Sequence, residues 1–225
     1  KQESLVVEGG NAYLNVNIDR CITGSLNLEN ANCLSVTDSI IDGRGGSAID
    51  GPSVSISIEE STVLGSVSVR SIKLGSNSIF TGNVTVEREQ EGCMRFCYFP
   101  NGSTVPQQYN CQPDTEIQRT VKKEFDAALV KNLGMTPQEK EKLETKISEE
   151  IQVWLKPFFT ALHYGHPGYG QLHFQCTDKI RTGADDEAEM GVFHHLKQPQ
   201  REANLRASLE EYLRVGLEAG IFYVT

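Results

Sequence analysis

Apolar and polar residues alternate strictly in three places along the chain, each time after a glycine. The segments are Gly24-Ser25-Leu26-Asn27-Leu28, Gly65-Ser66-Val67-Ser68-Val69 and Gly82-Asn83-Val84-Thr85-Val86. Alternation of period two marks a strand with one buried face. Each glycine closes a phrase that recurs four times. It begins at Asp19, Asp38, Glu60 and Asn77, at intervals of 19, 22 and 17 residues, and ends at Gly24, Gly43, Gly65 and Gly82. After Gly43 the pattern breaks. Residues 44–52 read as a Gly-rich corner insertion, and alternation resumes at Val54, Ile56 and Ile58.

Short strands, glycine corners and a period of about 20 residues describe stacked supersecondary units. When every unit is strand and turn, the architecture is a β-solenoid, one coil per repeat. Equivalent residues then stack in columns about 4.8 Å apart. The alignment predicts an interior column of Ile22, Ile41, Val63 and Phe80, a second of Leu26, Val67 and Val84, and a third of Cys21, Ile40, Thr62 and Ile79. An antiparallel sandwich would not need one phrase to recur with equivalent residues in register. The expectation is therefore a right-handed parallel β-helix over residues 5–99. Its hand follows from the preference of parallel crossover connections.

Beyond Val86 the alternation fades. Met94, Phe96 and Tyr98 suggest a last strand, and Pro100, Gly102, Pro106 and Pro113 an ordered loop. The period then changes to four. Ile117, Val121, Phe125, Leu129 and Leu133 predict a helix ended by Gly134. Thr136, Pro137 and Glu139 open a second one as a capping box with proline in the first turn. Its stripe is Leu143, Ile147, Ile151 and Leu155, and Pro157 stops it. Two helices joined this closely predict an αα-hairpin, docked lightly on the body, with stripes that satisfy each other. The last third is mixed. It holds a Gly- and aromatic-rich stretch around Tyr164 and Tyr169, then a helix from about Gln198 with Leu205, Leu209, Leu213 and Leu217 on one face, ended by Gly220. Residues 221–224 read as a terminal strand or tether. The predicted organisation is mainly β with α: residues 1–113 a β-helix with a terminal strand and loop, 114–157 an inserted αα-hairpin, and 158–225 a mixed α/β region.

Composition narrows the function. The 225-residue chain is 38% hydrophobic and 23% charged and carries a formal charge of −9. That charge repels a phosphate backbone and no basic stripe offsets it, so nucleic acid is not an expected partner. No apolar run reaches the ~18 residues of a membrane helix, so membrane insertion is not expected. The chain begins at Lys1 without a basic-then-apolar leader, which suggests a processed product or a piece of something longer and leaves its location open. The six cysteines, Cys21, Cys33, Cys93, Cys97, Cys111 and Cys176, form no C-x-x-C pair and are read as mostly free thiols.

Four groups could carry chemistry. Asp19, Asp38, Glu60 and Asn77 share a turn position. Stacked one coil apart, their carboxylates would lie near the ~5 Å spacing of a retaining glycosidase pair, or could hold calcium. Acidic and amide side chains also favour corners simply because they satisfy turn backbone, and that reading is preferred. His163, His166, His173, His194 and His195, with Cys176, Asp178, Asp185, Asp186 and Glu189, could assemble a metal site. They lack an H-E-x-x-H pattern, and ordinary hydrogen bonding is preferred for them. Cys93, Cys97, Cys111 and Cys176 are too scattered for a zinc site. Asp185-Asp186-Glu187 within residues 183–191 lacks calcium-loop spacing and is expected to begin a helix. No catalytic, cofactor-binding or metal residue is assigned, and no cofactor is expected.

The stretches "STVLGSVSVR", "SIFTGNVTVERE", "GCMRFCYFPNGSTVP", "FFTALHYGHPGYGQL" and the run from "GADDEAEMG" to "GIFYV" resemble a family of uncharacterised bacterial β-helix-repeat proteins. These look like components associated with phage-tail-like contractile injection systems. The segment 116–156 departs from that pattern and looks like an insertion. The resemblance implies a non-enzymatic structural or binding component of a tail-like or surface assembly, with other protein subunits as partners and release as part of a particle. The alternative is a carbohydrate-active β-helix enzyme, a polysaccharide lyase or glycoside hydrolase, using the Asp38 and Glu60 side, with a glycan as partner.

Overall fold

The computed structural model of the chain describes residues 4–8, 13–130, 137–214, 217 and 220. Eleven strands make up its body: β1 (Leu5–Val7), β2 (Asn15–Asp19), β3 (Ile22–Gly24), β4 (Leu26–Leu28), β5 (Cys33–Thr37), β6 (Ile40–Glu59), β7 (Thr62–Ser76), β8 (Ile79–Phe80), β9 (Val84–Val86), β10 (Cys93–Arg95) and β11 (Gln107–Tyr109). All the pairings among these strands are parallel. They wind into a β-solenoid of about six turns with three faces.

The first face stacks β3, the starts of β6 and β7, and β8, and continues through bridges from Ile79 to Tyr98 and from Tyr98 to Gln112. The second stacks β1, β4, the middle of β6 and β7, and β9. The third stacks β2, β5, the ends of β6 and β7, β10 and β11. β6 and β7 are long because each runs round two corners, which show as register shifts.

The interior is a set of apolar columns. Ile41, Val63 and Phe80 stack from the first face. Leu26, Ile49, Val67 and Val84 stack from the second, and Leu34, Ile56 and Ile72 from the third. In the neighbouring column Val36, Ile58, Gly75 and Met94 align, and Met94 fills the space that Gly75 leaves. A long, flexible thioether suits such a gap.

Three expectations about the solenoid need correction. In the first full coil the alignment is off by one: Ile22 pairs with Ile40 and Thr23 with Ile41. Ile22 therefore lies on the outside, 53% exposed, and Cys21 is the equivalent of Ser39. The misleading residue is Gly24. It does not share the role of the other phrase-ending glycines, since a Cβ there would meet Ser4 Oγ at 2.2 Å. Second, residues 44–52 are not a projecting insertion. Ser47, Ile49, Asp50 and Gly51 pair with Ser66, Val67, Ser68 and Val69. The surplus is taken up in register shifts between Asp42 and Ser47, where Arg44 (φ 48°) and Gly45 (φ 76°) adopt left-handed backbone, between Ser47 and Ile49, and between Gly51 and Ser55. Third, residues 100–113 are the sixth turn. Thr104 bridges to Thr85, β11 pairs with β10, and Gln112 bridges to Tyr98. The prolines fall at corners, outside these pairings, where no ladder N–H is lost.

The remaining elements cover one face. They are α1 (Asp114–Val130), α2 (Pro137–Trp154), α3 (Asp178–Arg181), a 3-10 turn at His194–Leu196 and α4 (Gln198–Tyr212). Leu133, Gly134 and Thr136, expected to end one helix and cap the next, lie outside the described residues. So does the segment 221–224. The α2 stripe is Ile147, Ile151 and Leu155, and it is buried with Ile79 and Tyr98 of the solenoid; Ile117, Val121 and Leu143 pack partly buried against the same cluster. Docking is thus substantial rather than light. Ile40 and Leu64 are covered in turn by Tyr169 and Val192. The outward residues of the first face are therefore a second core, and we refer to residues 155–197 as the head.

Asp185, Asp186 and Glu187 do not begin a helix. Asp185 N donates to Asn77 Oδ1 (3.1 Å), Ala188 N donates to Asp186 Oδ1 (3.1 Å), and Glu187 sits at φ 63°. These side-chain bonds hold the backbone in turns. α4 begins where expected but ends at Tyr212 and has no buried residue, with Leu205 and Leu217 exposed. Among the described residues, no helix is long and apolar enough to cross a membrane.

Candidate functional site

The recurring phrase builds a corner. Arg20, Asp38, Glu60, Asn77, Phe96 and Asn110 occupy the same position in successive turns, all at φ 46–51°. Left-handed backbone is tolerated best by Asn and Asp among residues with a side chain, which explains part of this column. The next residue is Ser39, Ser61 or Ser78, and Cys21, Cys97 or Cys111 in the outer turns. Each serine hydroxyl donates to the carbonyl two residues earlier, at 2.6–2.7 Å. It also accepts the backbone N–H of its equivalent in the preceding turn, from Cys21, Ser39 and Ser61, at 3.0–3.2 Å. The thiols of Cys21, Cys97 and Cys111 likewise donate to the carbonyl two residues earlier. A buried ladder thus satisfies backbone groups that the bend removes from the sheets.

Glycines line the opposite corner of the first face for a steric reason. A Cβ on Gly65 would meet Gly46 O at 2.5 Å, and one on Gly82 would meet the Gly65 carbonyl carbon at 2.4 Å. Successive turns touch backbone to backbone there.

The head fastens onto the serine-side corner through the polar groups singled out in the sequence. Asn77 donates from Nδ2 to Asp185 Oδ1 (2.8 Å), and Asn77 O accepts from Gly191 N (2.7 Å). His194 lies between two carboxylates, with Nδ1 3.3 Å from Glu60 Oε2 and Nε2 3.0 Å from Asp186 Oδ1. The Lys197 ammonium caps the other Asp186 oxygen. Burial pushes the Asp186 carboxyl up, but hydrogen bonds from Lys197 and the Ala188 N–H, with the charge and hydrogen bond of His194, outweigh it and hold it at about 2. Asp38 lies 3.6 Å from Arg20 and 4.0 Å from His195. Val192 N donates to Thr62 Oγ1 (3.1 Å). Asp19, aligned with these residues in the sequence, is exposed and sits one place before the corner.

Asp38 and Glu60 are thus engaged separately, each facing its own histidine. Asp185, Asp186 and His194 place ligand atoms within 4.8 Å of one another, close enough to hold a metal ion. Their donor atoms are already committed to Asn77, Lys197, Ala188 and Glu60, so a cation would have to displace Lys197 and break the clasp. His163, His166 and His173 lie elsewhere: His166 Nδ1 accepts from Gly168 N (3.0 Å) and His173 Nδ1 from Gln175 N (3.1 Å).

All six cysteines are free thiols. Cys97 and Cys111 are stacked in the ladder, while Cys176 is buried in the head and accepts from Phe158 N. Burial raises the Cys97 thiol well above its ordinary range, which makes it a poor nucleophile. Cys21 borders a cleft of about 630 Å³ that also meets Asp38, His166 and His195. Its thiol is turned to Asp19 O (3.1 Å), and His195 Nδ1 lies 3.2 Å from Val192 O.

A buried carboxyl in the head escaped notice in the sequence as anything but a metal candidate. Glu189 is 4% exposed and its Oε1 has no hydrogen-bond partner. Burial pushes it up, Arg181 pulls it down and Glu202 pushes it up again, leaving it at about 7. Arg181 is itself held by Glu202 through two 3.0 Å bonds. Between the ordinary 4.5 and about 7 the folded protein keeps a proton that the unfolded chain has released, so this group makes stability fall as pH rises through that window. Thermal unfolding of Glu189→Gln is expected to lose that part of the pH dependence and to give a higher Tm than the parent at pH 8. An unchanged slope between pH 5 and 8 would contradict the assignment.

A larger cleft, about 970 Å³, lies on the glycine side of the first face, between the second to fourth turns of the phrase and the loop carrying Leu162, His163 and Tyr164. Tyr169 anchors that loop. It is 5% exposed and its hydroxyl donates to Asp42 Oδ2 (2.7 Å). Burial, then the Asp42 bond and charge, raise its phenol, so it stays a donor. Tyr164, 68% exposed, stands edge-on to the Tyr169 ring with centroids 5.9 Å apart. Of the two tyrosines in this aromatic-rich stretch, Tyr169 is buried and Tyr164 stands at the surface.

The fold and the clasp define a β-solenoid protein with a docked C-terminal head. No family model, curated protein or solved structure matches the chain.

Proposed function

We propose that this chain is a non-enzymatic structural and binding component of an assembly: a rod of right-handed coils with a head on one face, in which residues 114–154 fold back as an αα-hairpin. The observation that carries this reading is the fate of Asp38 and Glu60. A glycan-cleaving site on this side would need both carboxylates facing an open groove. Here one lies against Arg20 and His195 and the other against His194. Glu60 is spent on fastening the head, and Asp38 pairs with Arg20 within the solenoid.

Exposed apolar side chains support the contact role. Val153 and Trp154 are exposed at the end of α2, and Phe158 and Phe174 flank His173 on the surface nearby. Such exposure suits a partner subunit. A bacterial surface or tail-like particle is the setting that the sequence resemblance implies.

The test is a turnover screen. Purified protein is incubated with acidic and neutral polysaccharides, with and without calcium, alongside Asp38→Asn and Glu60→Gln. No new chain ends are expected from any of the three. Release of reducing or unsaturated ends by the parent, abolished by either substitution, would establish a glycan-cleaving enzyme instead. The Glu60 substitution is expected to loosen the head, seen as faster proteolysis within residues 155–197.

A further inference from the structure

We infer that the cleft between the glycine corner and the Leu162–Tyr164 loop is a binding site for an acidic saccharide, held by the Arg44 guanidinium and the Tyr164 ring. This rests on the reading above in one respect, that the ligand is held and not cleaved.

The first argument is the unused charge. Arg44 lines the cleft in left-handed backbone, fixed there by its own N–H donating to Asp42 Oδ1 (2.7 Å). Among the described residues its guanidinium has no ion-pair partner. Asp42 faces the Arg44 N–H and the Tyr169 hydroxyl, and its carboxylate makes no ion pair with the Arg44 guanidinium. An exposed arginine without a carboxylate partner is suited to accept one in a planar, two-point contact.

The second argument is the shape and chemistry of the walls. Gly46, Gly65 and Gly82 make a floor of bare backbone, held that way by contact between turns. Ser66 adds a hydroxyl along it, those of Ser47 and Thr81 being engaged with the backbone of neighbouring coils, and His163 contributes an imidazole from the loop. The walls mix small backbone and hydroxyl groups with the apolar surface of Leu64 and Leu162. On the other side stands Tyr164, with Leu162 (55% exposed) beside it. An exposed ring costs little entropy to use and offers a flat apolar surface with a polar edge. A pyranose ring presents the complement, one apolar face and a rim of hydroxyls.

The third argument is that the ring is built in. Tyr164 packs edge-on against Tyr169, and Tyr169 is tied to Asp42, the residue that also fixes Arg44. One aspartate therefore sets both recognition elements, on parts of the chain 120 residues apart. A merely solvated loop tip needs no such coupling. The volume, about 970 Å³, accommodates a few sugar units. The overall charge of −9 opposes long polyanions, so a short acidic segment is favoured over an extended one.

The test is titration calorimetry of the full chain with an oligosaccharide of four linked glucuronates, its methyl ester and inorganic sulfate, with product analysis of each mixture. The parent is expected to bind the acidic oligomer at least tenfold more tightly than the ester. Arg44→Gln should erase that preference. Tyr164→Ala should weaken both oligomers at least tenfold, with circular dichroism unchanged. Equal affinity for acid and ester overturns the acidic assignment, and sulfate competing as well as the oligomer overturns the saccharide. Absence of binding to the folded parent overturns the site while leaving the structural role intact. Binding accompanied by cleavage would retain the site and overturn the non-enzymatic reading.

Discussion

Replacing Ile79 by aspartate is expected to free the head while leaving the solenoid wound. Ile79 is fully buried, but on the outside of its coil, among Ile147, Ile151, Leu155, Leu172, Ile180 and Met190. A carboxylate in that cluster has no partner, and the effective penalty is several kcal/mol. The clasp at Asn77, Glu60 and Asp186 is polar and partly solvated, so it cannot offset a loss of that size. Limited proteolysis should cut within residues 155–197 at least tenfold faster than in the parent, with far-ultraviolet circular dichroism retaining its β signal. Loss of the β signal together with the head would mean that coils and head fold as one inseparable unit.

The neighbouring substitution, Phe80→Ala, is expected to do the opposite. Phe80 is on the same strand, fully buried, and points into the coil against Val63. Truncating a core phenylalanine costs about 3–5 kcal/mol. In a chain of this size that lowers Tm on the order of 10 °C. The β signal and the aromatic signal of the head should be lost together at the lower temperature, because the face that supports the head is gone. A Tm within 2–3 °C of the parent would contradict the placement of Phe80 in the interior column. Two adjacent residues thus report on two different cores.

The solenoid was legible because its physics is periodic. Val67 and Val84 were expected one coil apart, and they pair directly in parallel. Ser39, Ser61 and Ser78 stand at one place in three of the phrases, though their use as a hydrogen-bond ladder was not legible. Glycine misled in the first coil because identical residues answered different constraints: Gly24 yields to a neighbouring serine side chain, Gly65 and Gly82 to backbone. Asp50 and Ile49 were hidden because a bulge between Asp42 and Ser47, where β6 carries three more residues than β7, breaks the count without breaking the sheet. The sixth turn was hidden by its prolines, which terminate a pattern in sequence but only mark corners in space.

The candidate sites were legible as residue types and not as partners. Asp38, Glu60 and Asn77 were read as one set and the late histidines and acids as another. That they meet depends on contacts such as Asn77 with Asp185, separated by 108 residues, which no local pattern encodes. Arg44 and Asp42 gave no signal as a pair with Tyr164 and Tyr169, since only the docking of the head brings that loop to the glycine corner. Leu205, Leu209 and Leu213 look like a stripe in sequence, yet α4 buries none of its residues.

The stacking of equivalent residues one coil apart underlies the columns, the clasp and the cleft alike, and spin-label distances test it most directly. Asp50, Ser68, Thr85 and Thr104 stand in successive turns of the second face, paired in that order. Labels are placed on cysteines at Asp50 and each of the other three in turn, after Cys21, Cys33 and Cys93 are replaced by serine. The expected backbone separations are about 5, 10 and 14 Å, rising by one strand spacing per turn. A steady rise of that size across the three pairs is the predicted result. A Thr104 label nearer to Asp50 than the Thr85 label, or separations that do not grow with turn number, would contradict it.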